Sequence, residues 1–349
     1  PEVFQIDDGW QVRWGDWTAG EDFPSGMAAL AQDIAAAGFT PGLWLAPLYV
    51  SRDSETYQNH PDWWVRDLDG AELAFSNLNT DDYAVLDITH PDAAAWLEQT
   101  ITDIAAQGWT YLKYDFLYAG AQVGLRQEDI TGIEAYHRAM TLLREASGDA
   151  WILACGAPLL PSVGYAESFR TGSDIAFESN RDPERAFYRW QARATAARRF
   201  THGRWWWMDP DQLIIRDPFD ASEVRGALAS GVAAGGTWML GDDLTALEDD
   251  RRRALLDPAL LATLGQPGRP ERPLLAVSGL DAGPVIELAI PNDVAPTTFT
   301  LDDGTVVLLN FGEEAVEVDG PGGVNLLTGE AASAGRRVLE AGDGEVWVP

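Results

Sequence analysis

The chain has 349 residues with 24 basic and 55 acidic side chains, a formal net charge of −31; such a surface repels polyphosphates, nucleic acid and anionic membranes, leaving neutral small molecules as the ligands to expect. One cysteine, Cys155, excludes an internal disulfide, and with four scattered histidines (His60, His90, His137, His202) it shows no Cys/His metal spacing, so neither a bound metal nor another cofactor is expected. The length exceeds one average domain but suits a single α/β barrel of about 250 residues with a small appended module.

The chain opens PEVFQIDD, already inside a strand-like run and without an initiator Met, which leads us to expect an upstream segment. No apolar run approaches about eighteen residues and no signal-peptide pattern is present. The expectation is therefore a cytoplasmic protein that crosses no membrane.

In chain order, strands are expected at 3 to 8 (VFQIDD), 42 to 47 (GLWLAP), 84 to 88 (AVLDI), 111 to 116 (YLKYDF), 151 to 155 (WILAC), 169 to 175 (FRTGSDI), 204 to 208 and 235 to 240. Helical patterns begin at Met27, Pro91, Ile133, Pro183 and Ala221, with Pro91 and Pro183 where a first helical turn tolerates proline. Eight alternating β/α units imply a closed (β/α)8 TIM barrel over residues 1 to 264. Residues 49 to 83 form a polar and aromatic excursion without clear period, and the two HPD triplets, 60 to 62 and 90 to 92, are too short to count as a repeat. After Leu264 the texture changes: the linker GQPGRPERP (265 to 273) precedes alternating runs such as PVIELAIP, TVVLLNF and GEVWVP, which predict a small antiparallel β-sandwich over 274 to 349 with a packing role.

Catalysis in such a barrel belongs at the carboxyl ends of its strands. The polar and reactive residues there are Asp7, Asp8, Trp44, Lys113, Asp115, Cys155, Arg170, Asp174, Asp209 and Asp211. Lys113, the only lysine beside twenty-three arginines, stands two residues before Asp115, so alternation points both to one side. An ammonium there would keep Asp115 ionised, as a carboxylate nucleophile requires. Lysine's rotatable donors also reach hydroxyls that arginine's planar fork would forgo for a fixed bidentate pair. The alternative is a buried pair that only packs the barrel.

Asp174 beside an ionised Asp115 would hold its proton, and two carboxylates with diverging acidities suggest glycoside hydrolysis. Arg170 must then aim at a sugar hydroxyl or at Asp115 instead of Asp174. A turn or capping role for Asp174 stays open. Asp7 and Asp8 suit acceptance of sugar hydroxyls, or divide into one ligand and one cap. Among fifteen tryptophans, Trp44 could stack on a sugar or belong to the core. The WWW at 205 to 207 is expected to alternate between barrel interior and helix layer.

Taken together, QIDDGWQ (5 to 11), GLWLAPL (42 to 48), HPDWWVRD (60 to 67), LDITHP (86 to 91), LKYDFLYAGA (112 to 121), ILACGAPL (152 to 159), FRTGSDI (169 to 175) and DPDQLIIR (209 to 216) resemble the α-galactosidases of glycoside hydrolase family 36, in the clan that includes the melibiase-type enzymes. The resemblance implies a retaining double displacement on small α-galactosides, with Asp115 as nucleophile and Asp174 as acid/base. It also implies Asp7 and Asp8 at the galactose O4 and O6, Lys113 and Arg170 at ring hydroxyls, and Trp44 and Cys155 lining the pocket. Two departures stand out. The large β-sandwich usual ahead of the barrel is missing from this sequence, and Met208 stands where the family tends to have Asn, which removes a supporting hydrogen bond. Galactosyl transfer of the raffinose-synthase type and α-N-acetylgalactosaminidase activity are variants on the same site. Outside this class are a barrel lyase forming a Schiff base on Lys113 and a sugar-binding protein without turnover.

Overall fold

Parallel strands alternating with helices organise the first of two units, Pro1–Phe169, which is followed by Arg170–Pro349. The computed structural model describes residues 2–76, 82–172, 174–175, 184–265, 269–270, 298–312 and 314–349. In chain order the first unit contains β1 (Val3–Ile6), a hairpin of β2 (Gln11–Arg13) and β3 (Asp16–Ala19), α1 (Met27–Ala36), β4 (Thr40–Leu45), β5 (Tyr49–Ser51) and a short α2 (Glu55–Asn59). It continues with β6 (Ala74–Ser76), β7 (Asp82–Val85), α3 (Pro91–Ala106), β8 (Tyr111–Tyr114), α4 (Gly132–Ala146), β9 (Trp151–Ala154) and β10 (Ser168–Arg170).

β1, β4, β8, β9 and β10 pair in that order, all parallel, with Gln5 opposite Gly42, Trp44 opposite Lys113, Lys113 opposite Leu153 and Ala154 opposite Phe169. Central strands of such a sheet are covered on both faces, so they are buried continuously instead of alternately. All four residues of β8 and the last five of β4 are buried. Helices cover the sheet with stripes at helical spacing: Met27, Ala31 and Ile34 on α1, Ala93, Leu97, Ile101 and Ile104 on α3, and Ala135, Tyr136, Ala139, Met140 and Leu143 on α4. Thr131 and Glu134 close a capping box on α4, while His90 caps α3 ahead of Pro91 by accepting from Asp92 N at 3.2 Å. The two HPD triplets meet here, His90 Nε2 lying 3.5 Å from Asp62 Oδ2 and Trp63 stacking on His60 with ring centres 3.6 Å apart.

The strand expected at 84 to 88 is a correction. β7 joins a separate sheet, antiparallel to both β5 and β6, so the excursion after β4 is a small antiparallel layer of its own. An apolar run ending in Asp-Ile satisfies either kind of ladder, and only the partner decides between them.

The second unit holds α5 (Glu184–Arg198), β11 (Trp207–Asp209), β12 (Gln212–Leu213), α6 (Ala221–Ala234), β13 (Met239–Leu240), α7 (Asp249–Leu255) and α8 (Pro258–Leu261). β13, within the strand expected at 235 to 240, pairs parallel with β12, which the sequence did not suggest. β11 starts only at Trp207, so strand alternation does not govern the WWW triplet: Trp206 is buried and Trp207 exposed.

The unit ends in antiparallel strands: β14 (Arg269–Pro270), β15 (Thr298–Thr300), β16 (Val306–Leu309), β17 (Val316–Gly320), β18 (Gly323–Asn325), β19 (Ala331–Ala332), β20 (Gly335–Leu339) and β21 (Gly344–Val348). Six of them form one sheet in the order β14-β15-β16-β21-β18-β19, and β17 pairs with β20. PVIELAIP and most of the expected linker lie outside the described residues. α6 is buried from Ala227 to Ala234 because one apolar cluster wraps it, joining Leu228 and Val232 to Tyr188 on α5, to Val307, Leu309 and Val346 of the sheet, and to Phe311 just after β16. Arg225 on α6 adds a bidentate pair with Asp343, at 2.8 and 2.7 Å. No described helix is long and apolar enough to cross a membrane.

Leu112, fully buried at the centre of β8 and flanked by Leu43 and Ile152, is the simplest test of the parallel core. Leu112→Ala is expected to cost about 2–5 kcal/mol of unfolding free energy, measured by urea denaturation followed by circular dichroism.

Candidate active site

The carboxyl ends of β1, β4, β8 and β9 gather one half of the expected site. Asp115 follows β8; its backbone N–H donates to Leu45 O at 2.8 Å, prolonging the ladder with β4 by one bond. The half-buried carboxylate then accepts two N–H groups, Trp44 Nε1 at 3.1 Å and Phe116 N at 2.7 Å. Phe116 has φ 52°, a left-handed conformation rare for an aromatic residue and of the kind that concentrates at functional sites.

The turn is held from the next strand, where Leu117 N donates to Cys155 O at 3.3 Å and Tyr118 N to Gly156 O at 2.7 Å. Gly156, at φ 54°, passes so close that a Cβ there would sit 3.2 Å from both N and Cα of Phe116. Cys155 is thus a buried thiol immediately after β9, its backbone woven into the loop that carries Asp115.

Lys113 is placed differently from the sequence expectation, which gave its charge to Asp115. Its ammonium, on a side chain only 7% exposed, makes a 2.8 Å ion pair with Asp7 Oδ2. Asp7 also accepts from Gln5 Nε2 at 2.7 Å and, through Oδ1, from Asp8 N at 3.0 Å. Asp8 accepts from Gln11 Nε2 at 2.6 Å and Trp14 Nε1 at 3.0 Å. Both aspartates are exposed, so their carboxylates are oriented by donors yet open to solvent.

Trp44 is 2% exposed and presents an N–H to Asp115 while its ring packs 5.2 Å from that of Trp14. Trp14, unremarked in the sequence, links this half together: it binds Asp8, stacks on Tyr83 at 4.3 Å and lies 5.2 Å from Phe116. Nothing in QVRWGDW separates it from the other tryptophans, because its position depends on the β2–β3 hairpin.

The second unit brings together Arg170, Asp174, Asp209 and Asp211. Arg170 ends β10, with 2% of its side chain exposed. Its Nη1 donates to Asp174 Oδ1 at 2.7 Å, its Nε to Asp209 Oδ2 at 3.1 Å, and its Nη2 lies 2.8 Å from Asp211 Oδ1. The expectation that Arg170 points away from Asp174 is therefore corrected. Its charge is shared with two interior carboxylates, Asp209 wholly buried and Asp211 5% exposed, whereas the Asp174 side chain is 76% exposed.

Asp211, at φ 75°, also accepts from Ile175 N at 2.5 Å. Burial pushes its carboxyl up to about 6, with Asp209 adding to the rise and Arg170 opposing it. Desolvation wins because one guanidinium serves three carboxylates.

Comparisons with known proteins relate this chain to α-galactosidases and their structural neighbours. Residues 2–144 match the Melibiase family model. The α-galactosidase AgaA of Geobacillus stearothermophilus is 30% identical over 132 residues, 35% of this chain and 17% of the relative. An α-galactosidase from Thermus thermophilus, solved with p-nitrophenyl α-D-galactopyranoside, superimposes with a TM-score of 0.64 at 36% identity, over 78% of this chain and 57% of that structure. A β-L-arabinopyranosidase of glycoside hydrolase family 27 from G. stearothermophilus, at 15% identity and TM-score 0.65 over 100% of this chain and 88% of its own, shows the fold alone. The α-galactosidase neighbours are TIM barrels, the fold class expected from the β/α alternation. The chain spans less than a fifth of the curated relatives it matches and 57% of the Thermus structure.

A carboxyl raised to about 6 remains protonated in the folded state over a window in which the unfolded chain has already ionised. Its favourable contribution is complete below about pH 4 and is lost as pH rises through 6. Asp211→Asn is therefore expected to gain stability relative to the parent by roughly 2–3 kcal/mol between pH 4 and pH 7. Thermal melts of both proteins across that range measure it; a relative loss would mean that pairing with Arg170 outweighs burial.

Proposed function

We propose that the chain is the barrel portion of a glycoside hydrolase of the melibiase clan, and within it a retaining exo-α-galactosidase of the family 36 type acting on terminal α-D-galactosyl residues of small galactosides. In this reading residues 1 to 264 close an eight-stranded barrel, 265 to 273 link it onward, and 274 to 349 form a packing sandwich. The observation that carries the reading is the setting of Asp115: a half-buried carboxylate at a parallel strand's end, oriented by the N–H groups of Trp44 and Phe116. Near it the Lys113–Asp7 pair ties β8 to the residue that follows β1, across the intervening strand β4. A nucleophile needs this fixed direction.

In the first step Asp115 attacks the anomeric carbon, the bond to the leaving oxygen breaks, and Asp174 gives that oxygen its proton. In the second, Asp174 takes a proton from water as the water oxygen attacks the same carbon, and the ester electrons return to Asp115. Two inversions retain configuration. Asp7 and Asp8 accept hydroxyl protons at O4 and O6, Lys113 and Arg170 donate to ring hydroxyls, and Trp44 and Cys155 line the pocket. The Thermus α-galactosidase was also solved with stachyose, which supports an α-galactoside as ligand. A Schiff-base role for Lys113 is disfavoured, since its pairing with Asp7 at 2.8 Å favours the ammonium over the neutral amine that role needs.

The test is 4-nitrophenyl α-galactoside with the parent protein and Asp115→Ala side by side. The parent is expected to release nitrophenol with retained configuration, the variant to lose about a thousandfold or more in kcat/KM, and azide to restore turnover as the inverted glycosyl azide. Normal turnover by Asp115→Ala would eliminate Asp115 as nucleophile.

A further inference from the structure

Only Thr171, Gly172 and residue 173 separate Arg170 from Asp174, so the position of the Asp174 carboxylate follows from how Thr171 and Gly172 are held. Thr171 is 2% exposed and bonded at every polar atom. Its N–H donates to Asp209 O at 2.8 Å, and its carbonyl accepts from the Arg198 guanidinium. Its hydroxyl lies 3.0 Å from Thr195 Oγ1 and 3.2 Å from Asp209 O, and accepts from Gln191 Nε2 at 2.8 Å.

Gln191, Thr195 and Arg198 lie on one face of α5 at helical spacing. α5 is itself fixed by the preceding turn, where the Tyr188 hydroxyl donates to Ile214 O at 3.0 Å and accepts from Ile214 N at 2.8 Å. Three side chains of one anchored helix therefore grip the residue that follows Arg170.

Gln191 is the member whose chemistry needs explaining. It is 4% exposed, and among the described residues its Oε1 is buried without a hydrogen-bond partner. That oxygen abuts Gly172, where a Cβ would overlap it. A side chain that leaves a buried oxygen unpaired carries a desolvation cost and is a poor way merely to fill space. What it supplies that an apolar side chain of equal length would not is the donor to Thr171.

We infer that Gln191 is a positioning residue for Asp174, fixing the Thr171–Gly172 segment through its bond to the Thr171 hydroxyl so that the carboxylate reaches the leaving oxygen. This rests on the reading of Asp174 as the acid/base. Gln191 acts through Thr171 and touches no substrate.

Leaving-group dependence tests it, because a merely structural residue has no reason to distinguish leaving groups. kcat/KM, which reports the first displacement, is measured with 2,4-dinitrophenyl α-galactoside, whose leaving group needs no proton, and with methyl α-galactoside, whose leaving group does. Gln191→Met, similar in length but without a donor, is expected to lose about tenfold or more on the methyl galactoside and about twofold or less on the dinitrophenyl one. Thr171→Val, which removes the same bond from the other side, should reproduce the pattern and decides the matter if Gln191→Met does not fold. Equal losses on both substrates, or none on either, overturn the inference. A parent protein that cleaves neither glycoside would overturn the glycosidase reading, and this inference with it.

Discussion

A guanidinium with only 2% of its side chain in contact with solvent must find its counter-charge inside the protein, and at Arg170 that demand organises everything nearby. It fixes the end of β10 against the turn after β11, draws Asp209 and Asp211 into the interior and leaves Asp174 reaching outward from the same cation. Three carboxylates around one positive charge cannot all be satisfied equally. Asp211, buried and with the Asp209 charge beside it, yields by holding its proton more tightly. Lys113 meets the same requirement in the other unit by pairing with Asp7, whose side chain is half exposed. In a chain of net charge −31, two of its rare cations have thus been taken out of the solvent and made to orient acids.

Where the polar residues of the site fall was legible in the sequence, because apolar runs that end in charged residues mark strand ends whatever the partners are. Asp7, Asp8, Asp115 and Arg170 stand at or just beyond the strands that were expected to carry them. Which group holds which was not legible. Lys113 seemed destined for Asp115 because the two share a strand direction, yet Asp7, with which it pairs, lies 106 residues away just after β1, a choice fixed by strand order. Arg170 likewise seemed unavailable to Asp174 on chemical grounds. Its interior partners, which change that argument, come from the end of β11, 39 residues further along, and the residues just after it.

The fold shows the same division between local and long-range information. Helices α3, α4 and α6 begin where their caps announce them, and α1 where its apolar stripe does. β7 was misassigned because its composition suits a parallel core and its pairing happens to be antiparallel. The role of Trp14 depends on a hairpin and on a tyrosine sixty-nine positions away, and neither leaves a period in the sequence. α6 was legible as a helix, but not that the cluster around it would include the C-terminal strands.

The solitary lysine has a practical consequence. Reagents that acylate or alkylate amines rely on ammonium groups scattered over a surface, and here the one ε-amine is enclosed and occupied by a carboxylate. Dyes, cross-linkers and solid supports that couple through side-chain amines would find almost no purchase on the folded chain. The modest fraction that did react would be altered in the very half of the molecule where Asp115 is held, so attachment chemistry for this protein belongs on its abundant exterior carboxylates.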